Sequence, residues 1–542
     1  MKKNDIIEVT INDLEFPNIG ITIFEDKIIK LKNTLPGQKV RARVVRSRKD
    51  KAEAKVVEVL ESASYEQESA CEHSDSCGGC SYQTVPYEKQ LEIKSQQVKK
   101  IIDEILTENY EFSPIVPSPK KTGYRNKMEF SFGDEIKGGP LTLGMHKRNS
   151  FHSIVETHGC QIVDEDFRQI LCRILEYFRG NSQTYYHKTT KIGFLRYLLV
   201  RKAEKTGEIL INLITTSQGK LNEEEFVGLI LSMNLQGEIK CIAHSIFDGV
   251  ADVAKADTMK ILYGEDKIRE ELLGLNFNIS SFSFFQTNSS AAEKLYSIVR
   301  DFIGTTKDKV IFDLYSGTGT IGQILAPAAK KVIGIEIVEE AVEKANENAK
   351  LNNLTNCTFI AGDVLKKIDE LSDKPDIIVL DPPREGIHPK AIQKIIDYKP
   401  ETIIYISCKP TSLKNDLPVF IDNGYKVSKV QCVDLFPQTY HVETVCLLVL
   451  RNPVTHVNID VDVEELVQDK RGQATYEQII DYVMEHTGLK VSNLNIAQIK
   501  RKCGIIEREN YNLPKSEDSK QPNCTKEKED AILDAFRHFG MI

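Results

Sequence analysis

Residues 309–451 predict an α/β protein built on a central parallel sheet. Four apolar runs, Val310-Ile-Phe-Asp-Leu314, Lys331-Val-Ile-Gly-Ile335, Asp376-Ile-Ile-Val-Leu380 and Thr402-Ile-Ile-Tyr-Ile406, are separated by helical stretches. Runs this uniformly apolar suit strands buried on both faces, as parallel sheets require. The first run leads into a glycine-rich turn, Asp313-Leu-Tyr-Ser-Gly-Thr-Gly-Thr320. There the backbone can pass close to a ligand at the carboxyl end of a strand. From N- to C-terminus the expected order is a small OB-like β-barrel at 1–62, an α+β middle domain at 63–283, a Rossmann-like domain at 284–455 and a helical extension at 456–542.

The barrel is read from short strands. Ile7-Glu-Val-Thr-Ile11 alternates, Ile21 to Ile29 is β-rich around a turn at Glu25-Asp26, and Pro36-Gly37 turns into Lys39-Val-Arg-Ala-Arg-Val-Val-Arg46. Ala52 to Leu60 closes the set, giving five short strands, which suits a small barrel. Lys39, Arg41, Arg43, Arg46, Arg48, Lys49 and Lys51 make one basic strand and loop. Two readings stay open: a solvated edge strand whose charge blocks aggregation, or an RNA-facing surface.

After a polar linker at 62–70 come clustered cysteines and an amphipathic helix at 87–109. The helix is expected to belong with the middle domain, or to pack on the α/β domain as part of a segment reaching residue 120. Strand-like runs Lys127 to Phe132, Phe194 to Arg201 and Ile209 to Ile214 alternate with helices up to about residue 280. The region from 456 opens acidic, Asp460-Val-Asp-Val-Glu-Glu465, then reads as two or three helices with a polar stretch from Pro514 to Glu529. It carries no chemical motif.

A chain of 542 residues exceeds one ordinary core, so three or four domains are expected. No apolar run is long enough to span a bilayer, and the N-terminus lacks a hydrophobic signal core. A cytoplasmic, membrane-free protein is the expectation, with its cysteines reduced and free to act as nucleophiles or ligands. A monomer is expected. The net charge of −8 argues against a general basic coat, but not against a local basic face.

Beyond the glycine turn, with Gly317 and Gly319, Glu336 ends the next strand and could bind both ribose hydroxyls of an adenosine. Asp363 follows the third strand-like segment, within reach of an adenine. The turn also matches the dinucleotide pattern G-x-G-x-x-G at Gly317, Gly319 and Gly322, so the turn alone does not decide the cofactor. Asp381-Pro-Pro-Arg384 decides better. A strand ending in Asp-Pro-Pro sets rigid backbone and a carboxylate beside the cofactor, which looks like S-adenosylmethionine-dependent enzymes.

Cys408 follows the fourth run, and Glu443 precedes Val445-Cys-Leu-Leu-Val449. Methylation of a pyrimidine at C5 needs such a pair. C5 is a poor nucleophile until a thiolate adds at C6, and a base must later remove the C5 proton. A donor near O4 completes the requirement. Lys409 could favour the thiolate. The bland alternatives are a buried structural thiol and a surface carboxylate.

Cys71, Cys77 and Cys80, the last two flanking Gly78-Gly79, offer three soft ligands within ten residues. Cys160 is the best fourth, with His73 and His158 as alternatives. Spacing alone favours zinc over a [4Fe–4S] cluster.

As a set, these motifs resemble the bacterial RNA uracil-C5 methyltransferases, and most of all the ribosomal RNA branch with an N-terminal TRAM barrel and an iron–sulfur cluster. The likeness spans about residues 1–452. It rests on Cys71…Cys77-Gly-Gly-Cys80, Tyr124-Arg-Asn-Lys-Met-Glu-Phe-Ser-Phe132, Phe284-Phe-Gln-Thr-Asn288, the Asp313 loop, Asp381-Pro-Pro-Arg384, Ser407-Cys408 and His441-Val-Glu-Thr444. The resemblance implies that Cys71, Cys77, Cys80 and Cys160 hold a [4Fe–4S] cluster, which replaces the zinc reading. It implies that Gln286, Tyr315, Glu336 and Asp381 contact S-adenosylmethionine or the target uracil, and that Phe284 lines a flipped-base pocket with Arg384 as a further substrate contact. Cys408 would be the nucleophile and Glu443 the base. The implied partner is 23S ribosomal RNA or a pre-ribosomal particle. Transfer RNA is the alternative substrate, and a non-catalytic RNA-binding protein with a methyltransferase-like fold is the alternative class. The chain departs from the family in having Lys409 where Asn is frequent after the cysteine, Ala70 where Pro often precedes the first cluster cysteine, and the segment after 456.

Overall fold

The computed structural model describes residues 1–304, 306–451, 474–503, 505 and 524–542. Residues 1–452 form one compact unit and 453–542 a second.

The first unit opens with a six-stranded curled sheet. Its order is Ile6–Thr10, Lys39–Ser47, Lys51–Glu61, Lys27–Lys32, Ile19–Phe24 and Asp13–Glu15. Alternation drives it: Val40, Ala42 and Val44 point inward and are fully buried, while the residues between them face outward. Glu25 and Asp26 both have positive φ, as a tight two-residue hairpin demands. The five expected strands are joined by Asp13–Glu15, too short to show in the sequence pattern.

The edge reading of the basic strand needs correction. Lys39–Ser47 is no edge, because Ile6–Thr10 and Lys51–Glu61 pair with its two sides. Two of its cations are paired across those strands: Lys39 meets Glu61 at 3.0 Å, and Arg41 bridges Glu8 at 2.9 Å and Glu58 at 2.6 Å. Arg43, Arg48, Lys49 and Lys51 are exposed.

A seven-stranded mixed sheet follows, ordered Ile154–Glu156, Thr142–His146, Lys127–Gly133, Leu195–Lys202, Glu208–Thr215, Glu238–Ile246 and Thr258–Gly264. The helix Glu165–Gly180 covers one face. Asp164 caps it, accepting from the amides of Asp166 and Phe167. Phe167, Ile170, Leu171, Ile174 and Phe178 lie buried beneath it.

The third sheet has eight strands, in the order Cys357–Ala361, Ala329–Glu336, Thr306–Leu314, Ile377–Leu380, Thr402–Ser407, Glu443–Leu450, Tyr425–Val433 and Glu111–Val116. The first five are parallel, and Glu443–Leu450 runs antiparallel to both neighbours. The eighth comes from far upstream. The helix expected over 87–109 ends at Asp103, and the chain then enters Glu111–Val116, which pairs in parallel with Tyr425–Val433. Pro114 is tolerated because that strand is an edge. Val98 and Ile102 of the helix pack into one core with Phe312, Leu314, Ile378 and Tyr405. Residues 87–116 therefore belong structurally to this sheet rather than to the seven-stranded one.

Among its described residues the second unit has three helices, Tyr476–Thr487, Asn493–Lys502 and Lys526–His538. They close on Ile479, Val483, Ile496, Ile499, Ile532 and Phe536. The first two start with capping boxes at Thr475 and Ser492. The acidic run at 460–465 and most of the polar stretch lie outside the described residues.

Candidate active site

The carboxyl ends of the parallel strands open into one cavity of about 1050 Å³. It is lined by Phe284, Gln286, Tyr315, Gly317, Glu336, Asp363, Asp381, Arg384, Cys408 and Glu443, so every catalytic, cofactor and substrate candidate read from the sequence converges there.

Local backbone explains the glycine turn. Tyr315, Gly317 and Gly319 all have positive φ, between 54° and 71°. At Gly319 a Cβ would also lie 2.4 Å from the Phe359 ring, so both conformation and space require glycine. The loop is tied at both ends. Gly322 N–H donates to Asp313 Oδ2 at 2.8 Å, and Glu336 accepts from Gly317 N–H and Val338 N–H at 3.0 Å each. Glu336 is thereby aimed at the end of its strand with lone pairs left for a diol. Asp363 caps the short helix Val364–Lys367 through Oδ1, which accepts from Leu365 N–H at 3.0 Å. Its carboxylate still borders the cavity. Phe284 lies at the mouth beside the Gly317 loop, 65% exposed, and its carbonyl accepts from Thr318 Oγ1.

Sheet register brings Cys408 and Glu443 together. Ser407 pairs with Thr444 at the end of the antiparallel ladder, which brings the following Cys408 and the preceding Glu443 to the same end of the sheet, where both line the cavity. Glu443 is 3% exposed. Burial, reinforced by the charge of Asp381, pushes its carboxyl up to about 8. Burial alone pushes Asp381 up to about 7. The Cys408 thiol is pushed up to about 11 by burial and then by the charges of Glu443 and Asp381, with Arg384 pulling it back through charge and a hydrogen bond. The expectation for Lys409 is corrected here: the cation acting on the thiol is Arg384, while Lys409 points to solvent.

Sequence reasoning missed several lining residues. Arg125 and His441 lie inside recognised motifs, yet only the fold shows that they reach the cavity, as does Phe436. Burial, then the charges of Arg384, Lys94 and Arg125, pull His441 down to about 4, so its imidazole is neutral. The segment carrying Phe436 and His441 is gripped from outside the sheet. Lys94, fully buried, donates to Asp434 Oδ1 at 2.7 Å and to Phe436 O at 3.0 Å. The amides of Ser81 and Tyr82 donate to Gln438 O, and Tyr124 Oη donates to Pro437 O.

Arg125, Phe436 and His441 also wall a second cavity, of about 210 Å³, where Cys71, Cys77, Cys80 and Cys160 meet. A Cβ on Gly78 would lie 3.0 Å from His146 O, so the turn packs tightly there. Arg148 pins the turn by donating to Ser74 O and Cys80 O at 2.9 Å each. Gly79 N–H donates to Cys77 Sγ at 3.3 Å. Burial pushes Cys80 up to about 12, and the charges of Cys160, Cys77 and Cys71 add to that. Four clustered thiols, Cys71 buried and Cys77, Cys80 and Cys160 half-buried, that repel one another's anions fit a bound thiophilic metal, which would relieve the repulsion. His73 borders the same cavity, but its Nε2 accepts from Gly159 N–H at 3.0 Å, and His158 faces Glu72.

Residues 86–451 match the model of the tRNA (uracil-5-)-methyltransferase family. An uncharacterised RNA methyltransferase of Clostridium tetani is 52% identical over 445 residues, covering 82% of this chain and 98% of that protein. One of Clostridium acetobutylicum is 51% identical over 448 residues, covering 83% and 98%. Among solved structures, the Pyrococcus abyssi tRNA (uracil-54, C5)-methyltransferase in complex with S-adenosyl-L-homocysteine is similar with a TM-score of 0.65 at 26% identity, covering 82% of this chain and all of that one.

Proposed function

This chain belongs to the tRNA (uracil-5-)-methyltransferase family, and from that premise we propose that it methylates C5 of specific uridines in 23S ribosomal RNA through a covalent bond between Cys408 and uracil C6. The family supplies the coarser statement, an RNA uracil-5 methyltransferase that uses S-adenosylmethionine. The observation that supports the finer mechanism is that Cys408 and a buried acid, Glu443, line one cavity beside the glycine loop, close enough for the charge of Glu443 to act on the thiol.

Gly317, Glu336 and Asp363 hold the adenosine end of S-adenosylmethionine, with Gln286, Tyr315 and Asp381 closing on it or on the base. When bound, that cofactor offers an electrophilic methyl group. Phe284, exposed at the mouth, stacks on the extruded uridine. Cys408 gives its proton to solvent water in the open cavity and the thiolate adds to C6, which leaves C5 electron-rich. Arg384 supports the thiolate and is the donor for the ring's developing oxyanion. After C5 has taken the methyl group, Glu443 accepts the C5 proton, the C5=C6 double bond re-forms and Cys408 leaves. A carboxyl pushed up to about 8 is a stronger base than an ordinary glutamate and is poised near working pH.

Cys71, Cys77, Cys80 and Cys160 would hold a [4Fe–4S] cluster. Methyl transfer from a sulfonium needs no electron transfer, so the cluster's part is to fix the turn and the wall it shares with the active cavity. The choice of ribosomal over transfer RNA rests on the curled N-terminal sheet and the cysteine site, both of which mark the ribosomal branch that the sequence resembles. The test is to incubate the purified enzyme with unmodified ribosomal and transfer RNA and map 5-methyluridine. Product in ribosomal RNA alone is expected; product in transfer RNA alone reverses the substrate assignment.

A further inference from the structure

A third cavity, of about 420 Å³, lies in the seven-stranded sheet region, lined by residues 131–134, 137, 150, 152–154, 185–189, 196–197 and 252. Its floor is Arg196, only 5% exposed. Arg196 donates to the carbonyls of Phe247, Gly249 and Ala251 at 2.6–2.8 Å, and no carboxylate pairs with it among the described residues. Its Nε has no partner at all. The guanidinium is answered directly only by neutral carbonyls. Across the lining, the cations Arg196, Lys137 and Lys188 outnumber the carboxylates Asp134 and Asp252. Asp252 is occupied by Lys188 at 2.5 Å and by the Tyr197 hydroxyl, and Asp134 takes Gly138 N–H at 2.7 Å.

Tyr185 and Tyr186 supply aromatic faces, Tyr186 backed by Arg196 at 4.4 Å. Next to the lining residues in the chain stand exposed apolar side chains: Ile136 at 76%, Phe151 at 78%, Ile192 at 69% and Val250 at 71%. Lys137 adds a solvent-facing cation to the wall. Aromatic faces, neighbouring apolar side chains and an excess of cations over carboxylates are the chemistry that holds an unpaired nucleotide by stacking and phosphate attraction.

We propose that this cavity is a second RNA subsite, which takes an unpaired nucleotide flanking the target uridine. The proposal rests on the uridine-methylating reading of the active cavity. Extruding one base costs stacking energy, and a flanking base captured here offsets it. Phe151 and Lys137 are exposed, so replacing them leaves the core intact.

The test uses the full-length enzyme and a single-stranded RNA containing the methylated uridine, with 4-thiouridine at each flanking position in turn. Crosslinks should map by mass spectrometry to peptides within 134–153 or 185–192. The Phe151→Ala, Lys137→Ala double variant should bind that RNA about tenfold more weakly, with unchanged S-adenosylmethionine affinity. Crosslinks at these peptides in RNA that is never methylated would support the subsite while removing the activity assigned above. Unchanged RNA affinity with crosslinks confined to other peptides would overturn the proposal and leave the apolar rim to a protein partner.

Discussion

Replacing Glu443 by Gln should change how stability depends on pH, and the size follows from the site. In the unfolded chain this carboxyl titrates near 4.5; in the folded protein it is held up to about 8. Between those values the unfolded chain releases the proton and the folded one keeps it. The unfolded state then binds fewer protons, so stability falls as pH rises through this window. The contribution is fully present below the unfolded value and is lost by about pH 8. At ~1.4 kcal/mol per pH unit the window amounts to ~5 kcal/mol. Residues 1–452 form the unit that must unfold. At ~2.1 cal/mol/K per residue its unfolding entropy is ~1 kcal/mol/K, so the loss corresponds to ~5 °C in Tm. Asp381 and Asp313 are each held up to about 7, and they give the wild type and the variant a common background slope. Scanning calorimetry of both proteins at pH 5 and pH 9 isolates the Glu443 part. The wild type should lose ~5 °C more than Glu443→Gln between the two. Identical pH dependence would refute the buried, proton-retaining carboxyl, and with it the reason for assigning the base here.

Other perturbations read other parts of the account. Lys94→Met leaves Asp434 buried without its ion partner and should cost about 3–5 kcal/mol, while Lys94→Met with Asp434→Leu should recover most of that; denaturant midpoints check both. The same single variant should slow methyl transfer, because Phe436 and His441 hang on the segment that Lys94 grips. Protein purified without oxygen should contain iron and acid-labile sulfide and absorb broadly near ~400 nm, whereas Cys80→Ser should lose both. Stoichiometric zinc without sulfide would return the site to the zinc reading. Glu443→Gln should also accumulate a covalent complex with ordinary RNA, visible as a shifted band on denaturing gels, and normal turnover would hand the base role to another group.

What was legible in the sequence was whatever local pattern encodes. Strands such as Thr402–Ser407 and Ala329–Glu336 announced themselves by unbroken apolar runs, and the glycine turn by residues that only a strained loop needs. Chain order put Glu336, Asp381 and Cys408 at or just past the carboxyl ends of parallel strands, and Glu443 at the start of an antiparallel one, which gathers all four at one end of the sheet. What stayed hidden was non-local. Glu111–Val116 joins the third sheet across more than three hundred residues of chain, and nothing in its own pattern says which sheet it extends. The pairing of Lys39 and Arg41 was hidden because their partners, Glu61, Glu8 and Glu58, come from other strands. Lys409 sat beside Cys408 in sequence, yet Arg384 is the cation that acts on it in space.

The central claim is that Cys408 bonds to uracil C6. RNA carrying 5-fluorouridine at the target position tests it directly, because fluorine at C5 cannot leave as a proton and the adduct cannot resolve. With S-adenosylmethionine present, the wild-type enzyme should form a complex that survives denaturation, with the RNA attached to the peptide containing Cys408. Cys408→Ala should form none and should not methylate. A stable adduct on Cys408→Ala, or methylated RNA from that variant, would contradict the account.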